Sequence, residues 1–162
     1  MKVIVNDELN TIIFLNKMVI ENIDFIDKEE AEDYFRQLFL KLKERYNIII
    51  NGYYILNLYI DEYYGMIIEL KKEEMDYFDY YDNQIDMKII INNETNFLYE
   101  IDDILSLNTN NFLIYKYNKK YYLQIKNSIS EIEMGKILEY STIIYNEDVD
   151  DIMKYGKLVI NI

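Results

Sequence analysis

The stretch FLIYKYNKKYYLQI, Phe112 to Ile125, alternates along its length on both sides of Asn118-Lys119, as a β-hairpin closed by a two-residue turn does. With the turn at those residues, Tyr117 stands opposite Lys120, Tyr115 opposite Tyr122 and Leu113 opposite Gln124, while Phe112 pairs with Ile125 and Ile114 with Leu123. The hairpin then has two unlike faces. Phe112, Ile114, Leu123, Ile125 and Tyr121 make an apolar core face; Tyr115, Tyr117, Lys120, Tyr122 and Gln124 make an amphipathic outer one. Register is the soft point, because Asn-Lys is a weaker type I′ turn than Asn-Gly and a turn one residue longer would swap the faces. The tyrosine face is either covered by a helix of the same chain or left as contact area for a partner, and both readings stay open here.

After the hairpin, Ser130 with Glu133 forms a capping box that opens a helix to about Glu139. A short helix from about Glu147 to Lys154 stops at Gly156, where a left-handed C-cap is the natural reading, and Lys157 to Ile160 is a last strand. Before the hairpin come a strand, Met87 to Ile91, and a short helix around Glu100 to Leu107. Residues 87–162 thus read as a β-α-β-β-α-α-β unit. Residues 72–86 carry six carboxylates against one lysine, and Tyr77, Phe78, Tyr80 and Tyr81 follow no helical or strand period. They read as an acidic aromatic linker that is either solvated or ordered on binding.

Residues 1–71 form the other unit. Val3 to Val5 and Thr11 to Leu15 are a hairpin. Asp27 with Glu30 caps a helix whose Ala31, Tyr34, Phe35, Leu38, Phe39, Leu42 and Tyr46 recur at helical spacing. YYILNLYI and GMIIEL follow as two strands joined near Asp61 to Gly65, which completes β-β-α-β-β. The fold class is therefore α+β in two small units. The expected cores are Phe35, Leu38, Phe39 and Leu56 in the first, and Phe112, Ile114, Leu123, Ile125, Ile137 and Leu158 in the second.

The chain has 162 residues, of which 51% are hydrophobic, enough for a packed core. A net charge of −13 repels phosphate backbones and anionic membranes, so nucleic acid and lipid are poor partners and a basic protein surface is a good one. There is no cysteine and no histidine, no signal-peptide pattern in MKVIVNDELNTIIF, and no apolar run approaching the roughly 20 residues of a membrane span. A cytoplasmic protein is expected. The wealth of Ile, Asn, Lys and Tyr suggests AT-rich codon usage, so missing prolines carry no structural argument.

No catalytic constellation is expected, and neither is a cofactor or a metal. Ser106, Ser128, Ser130 and Ser141 stand in cap or loop contexts, and Gly52, Gly65, Gly135 and Gly156 never cluster into a phosphate-cradling loop. NEDVDD, Asn146 to Asp151, has Asp where a calcium loop requires its sixth-position Gly, so a solvated helix start accounts for it better.

At FLIYKYNKKYYL, ILEYS (Ile137 to Ser141) and YGKLVI (Tyr155 to Ile160), taken in order and spacing, the chain resembles the C-terminal domain of the MecA adaptor family. EEAEDYFRQLFLKLKE followed by GYYILNLYIDEYYGMIIELKK is similar, more loosely, to the family's N-terminal helix and hairpin, and the linker is shorter than the family's. The resemblance implies a non-enzymatic cytoplasmic adaptor for regulated proteolysis. Its N-terminal unit would recruit substrates, as the family recruits the competence regulator ComK. Its C-terminal unit would dock on the ClpC AAA+ unfoldase, promote its assembly and deliver substrate for ClpP-dependent degradation. Partner-binding residues are then expected at Tyr115, Tyr117 and Tyr122 as the apolar centre of the contact. Glu131, Asp148, Asp150 and Asp151, with Glu100, Asp102, Asp103 and Glu147 nearby in sequence, would supply the charged surroundings. The alternatives are an acidic inhibitor that mimics nucleic acid, which should space carboxylates along one elongated face, and a carboxylate-dependent metal enzyme, which should converge three or more of them in one pocket.

Overall fold

The computed structural model describes residues 1–7, 9–20, 27–74, 84–92, 96–102 and 111–159. The fold is α+β, and the described residues form two five-stranded sheets. The chain divides into two compact units, Met1–Ile60 with Gly65–Asn92, and Asp61–Tyr64 with Asn93–Ile162.

The first unit begins with the expected hairpin, β1 (Lys2–Val5) and β2 (Asn10–Asn16), in antiparallel register from Lys2 opposite Phe14 to Val5 opposite Thr11. The Asp7 carboxylate closes its turn by accepting from the N–H groups of Leu9 and Asn10 at 2.7 and 2.8 Å. A single helical turn, α1 (Lys17–Ile20), follows, and then α2 (Lys28–Tyr46). Asp27 caps α2 by accepting from the N–H groups of Glu29 and Glu30, and Asn47, left-handed at φ 54°, turns the chain out of it. Ala31, Phe35, Leu38, Phe39 and Leu42 bury the apolar stripe of α2 on one face of the sheet β1-β2-β4-β3-β5. β3 (Gly52–Asp61) gives that face Tyr54, Leu56 and Leu58; β4 (Gly65–Glu73) gives it Met66, Ile68 and Leu70.

One strand changes unit. The run Met87 to Ile91, expected to open the second unit, lies in β5 (Ile85–Asn92), which pairs parallel with β3 from Gly52 opposite Ile85 to Tyr59 opposite Asn92. Ile85 and Met87 join the core beneath α2, and the Arg36 guanidinium donates to the Ile85 carbonyl. The expected boundaries at 71 and 87 move for that reason, since Lys72 and Glu73 belong to β4 and Ile85 and Asp86 to β5. Residues 75–83 of the expected linker lie outside the described residues.

The second sheet has the order β10-β7-β8-β6-β9. β6 (Leu98–Ile101) occupies the start of the expected helix at Glu100 to Leu107; Glu100 and Ile101 are strand residues opposite Tyr122 and Tyr121 of β8, and 103–107 lie outside the described residues. β7 (Phe112–Tyr117) and β8 (Lys120–Ile125) pair in the register expected, from Phe112 opposite Ile125 to Tyr117 opposite Lys120. The turn takes positive φ at both central residues, 47° at Asn118 and 67° at Lys119, as a type I′ turn does. α3 (Glu131–Tyr140) starts in the Ser130–Glu133 capping box. It runs into β9 (Ser141–Ile144), a strand not foreseen from the sequence, which pairs with β6. α4 (Asp148–Tyr155) and the two-residue β10 (Lys157–Leu158) complete the described chain.

Two expectations at this end are corrected. Gly156 is extended at φ −68°, not left-handed, and its glycine is required by space instead, because an added Cβ would run into the Ile152 carbonyl oxygen. Leu158 is exposed on the edge strand rather than buried, and Ile125 is half-buried, whereas Phe112, Ile114, Leu123 and Ile137 are core as expected.

Candidate protein-interaction face

Strand alternation sends Tyr115, Tyr117 and Tyr122 to one face of the second sheet, where Leu98 of β6 and Ile144 of β9 join them. α4 covers that face. Val149 and Ile152 are buried against Tyr122 and Leu98, and Met153 packs beside them. At the end of α4 the chain comes close to the hairpin, the position of a Cβ on Gly156 being 3.4 Å from the Tyr115 Cβ. The Tyr115 hydroxyl donates to the Gln124 side-chain oxygen at 3.2 Å, and Lys120 bridges to Glu100 at 2.7 Å across the β8–β6 pair. Burial raises the Tyr122 phenol above its ordinary range, and the Glu100 carboxylate pushes in the same direction. The hydrogen bond to Glu100 raises the Lys120 ammonium in turn.

The tyrosines are covered within the chain. Tyr122 is 6% exposed and belongs to the core, so it does not stand free as an interface anchor, and Tyr115 and Tyr117 are half-buried beside it. The hairpin sequence could not show this, because the covering helix lies about 25 residues further on and its apolar positions are few.

The charged residues behave differently. Asp148, Asp150 and Asp151 are exposed in the first turn of α4, where the helix dipole favours carboxylates, and Glu147 is exposed at its N-cap. Asp148, Asp151 and Tyr155 recur at i, i+3 and i+7 and share one outer row; Tyr155 is 62% exposed, with the Lys154 ammonium 5.0 Å from its ring centroid. Tyr155 was not foreseen as a site residue. Its signal was the amphipathic count along DVDDIMKY, where Val149, Ile152 and Met153 take the inner positions and leave Tyr155 outside.

Glu131 is exposed in the first turn of α3, a helix that lies along β6 and β9, so the structure places it on a different element from the α4 carboxylates. Glu100 is spent in the Lys120 ion pair, Asp102 is exposed just after β6, and Asp103 lies outside the described residues. The NEDVDD run is a helix start, in which the Asn146 side-chain oxygen accepts from the Asp148 N–H at 3.2 Å. Among the described residues no group of three or more Asp or Glu side chains is placed to hold a metal ion, and no helix is long and apolar enough to cross a membrane. Compared with known proteins, the chain matches no family model, no curated protein and no solved structure.

Proposed function

We propose that this protein is a cytoplasmic adaptor of the MecA kind, whose second unit docks on a ClpC-type AAA+ unfoldase and whose first unit recruits the protein to be degraded. The observation that carries the reading is α4, which buries Val149 and Ile152 over the tyrosine face and turns Asp148, Asp151 and Tyr155 outward as one row flanked by Glu147 and Asp150. A row of carboxylates ending in an exposed tyrosine suits a basic partner surface with an apolar pocket. Aromatic anchors concentrate binding energy, and flanking charges set the approach rate and its salt dependence. The sequence resemblance at the hairpin, ILEYS and YGKLVI names the class of partner.

Binding of the full chain to purified ClpC-type unfoldase, with and without ATP, tests the proposal, together with the unfoldase ATPase rate. Complex formation and a raised ATPase rate are expected. Tyr155→Ala should weaken binding by roughly 1–3 kcal/mol without lowering the melting temperature. Reversing Asp148 and Asp151 to Lys should slow association at low salt and lose that effect at high salt. A folded wild-type chain that neither binds nor changes the ATPase rate sinks the adaptor reading.

A further inference from the structure

The first sheet ends on β5, and among the described residues no strand takes its outer edge. The Gly52 N–H donates to the Gln84 carbonyl at 2.9 Å, which sets the phase of the parallel β3–β5 ladder. Asp86, Lys88 and Ile90 direct their backbone groups at β3, while Ile85, Met87, Ile89 and Ile91 direct theirs outward, as the Arg36 bond to the Ile85 carbonyl attests. This edge is eight residues long and unbroken in register, without the proline, bulge or shortness that usually blunt an exposed edge.

We propose that β5 pairs antiparallel with β5 of a second copy, with Met87 on the two-fold axis, so that two first sheets join into one. In that register Ile85 stands opposite Ile89 of the second copy, and the outward N–H and C=O groups of Ile85, Met87 and Ile89 meet their counterparts, the Ile85 carbonyl dividing its two lone pairs between Arg36 and the incoming Ile89 N–H. Asp86 and Lys88, both exposed on the face away from α2, then stand opposite Lys88 and Asp86 of the second copy, which makes two opposite-charge pairs. Centring the axis on Lys88 would instead set lysine against lysine, and centring it on Asp86 would set aspartate against aspartate. Asp86 already interacts within its own chain, and a carboxylate has acceptor sites to spare. A second feature lies on the α2 side. Lys28, Glu32, Arg36 and Leu40 form one i, i+4 row, Arg36 from that row reaches β5, and Leu40 in the next turn is 49% exposed, available to be covered at the seam.

The full-length protein is tested by sedimentation and light scattering across a concentration series, with circular dichroism and melts as controls for folding. A concentration-dependent dimer is expected. Lys88→Asp should weaken it about tenfold or more, because two attractive pairs become two repulsive ones, and the swap Asp86→Lys with Lys88→Asp should restore it. The chain has no cysteine, so Met87→Cys should oxidise to a covalent dimer, its two Cα atoms standing about 5.5 Å apart, while Ile89→Cys, opposite Ile85, should not. A chain that stays monomeric throughout, including one that only takes up an extended peptide of another protein, overturns the proposal. So does a dimer that survives Lys88→Asp unchanged, or one that cross-links through Ile89→Cys rather than Met87→Cys.

Discussion

Tyr99 and Tyr122 stand on neighbouring strands of the second sheet and leave it by opposite faces, since Tyr99 pairs with Leu123 while Tyr122 pairs with Glu100. Their phenols have different surroundings. Tyr122 lies under α4 at the edge of the Glu100–Lys120 ion pair. Among the described residues the Tyr99 hydroxyl is buried without a hydrogen-bond partner, and burial raises its pKa far above the ordinary tyrosine range. Truncating Tyr122 to Ala removes a ring from a packed cluster and should cost about 3 kcal/mol or more in urea unfolding. Tyr99→Phe deletes only the unpaired hydroxyl, so it should leave stability unchanged or raise it by roughly 1 kcal/mol. A clear loss on Tyr99→Phe would mean that the hydroxyl does find a partner in solution. Glycines divide in the same way. Gly135 in α3 has open space around its missing Cβ, so Gly135→Ala should stabilise by roughly 0.5–1 kcal/mol, whereas Gly156→Ala drives its Cβ into the Ile152 carbonyl and should loosen the end of α4.

At the scale of elements, α3 is held at its start by a reciprocal box. The Ser130 hydroxyl accepts from the Glu133 N–H at 3.2 Å, and the Glu133 carboxylate accepts from the Ser130 N–H at 3.0 Å. That backbone bond, followed by the bond from the Ser130 hydroxyl, lowers the Glu133 pKa below its ordinary 4.5. A carboxylate whose folded pKa is depressed stabilises the fold above its unfolded value, and the contribution disappears as pH falls through the folded one. Ser130→Ala should therefore cost about 1 kcal/mol in thermal or urea melts at neutral pH, and the gap to wild type should narrow below pH 4.5. An equal gap at both pH values would show that the bond between the Ser130 hydroxyl and the Glu133 carboxylate contributes nothing, the backbone bond from residue 130 being kept in the variant. This box was legible in the sequence because its residues sit three apart, and so was the hairpin, whose register follows from two turn residues and strict alternation. β9 and the placement of β5 were not legible. STII is four residues long, directly after a helix, and IDMKIIIN alternates equally well in either sheet, so only the fit of Ile85 and Met87 beneath α2 selects one. The covering of Tyr122 was hidden for a related reason, since eight residues of α4 supply just two buried side chains.

Over the whole molecule, 18 tyrosines and a net charge of −13 make the alkaline side the vulnerable one. Each tyrosinate adds to a charge already far from zero, and self-repulsion grows with it. The buried and half-buried tyrosines resist ionisation in the fold: desolvation pushes Tyr64 up to about 12 and raises Tyr54 and the half-buried Tyr34 in the same direction. Tyr64 packs against Phe97, which packs in turn against Tyr145, with ring centroids 5.9 and 6.1 Å apart, so ionising it would place a charge in an aromatic row. The sign follows from linkage. A tyrosine whose folded pKa is raised above 10.0 holds its proton longer than the unfolded chain does, so its contribution is complete below pH 10 and is lost as pH rises towards the folded value. Stability measured by urea unfolding should accordingly be level from pH 7 to 9 and fall steeply between about pH 10 and 12. Tyr64→Phe should shallow that fall while keeping the aromatic row. If the variant and the wild type lose stability in parallel over this range, Tyr64 ionises as readily in the fold as in the unfolded chain, and the alkaline loss arises from net charge alone.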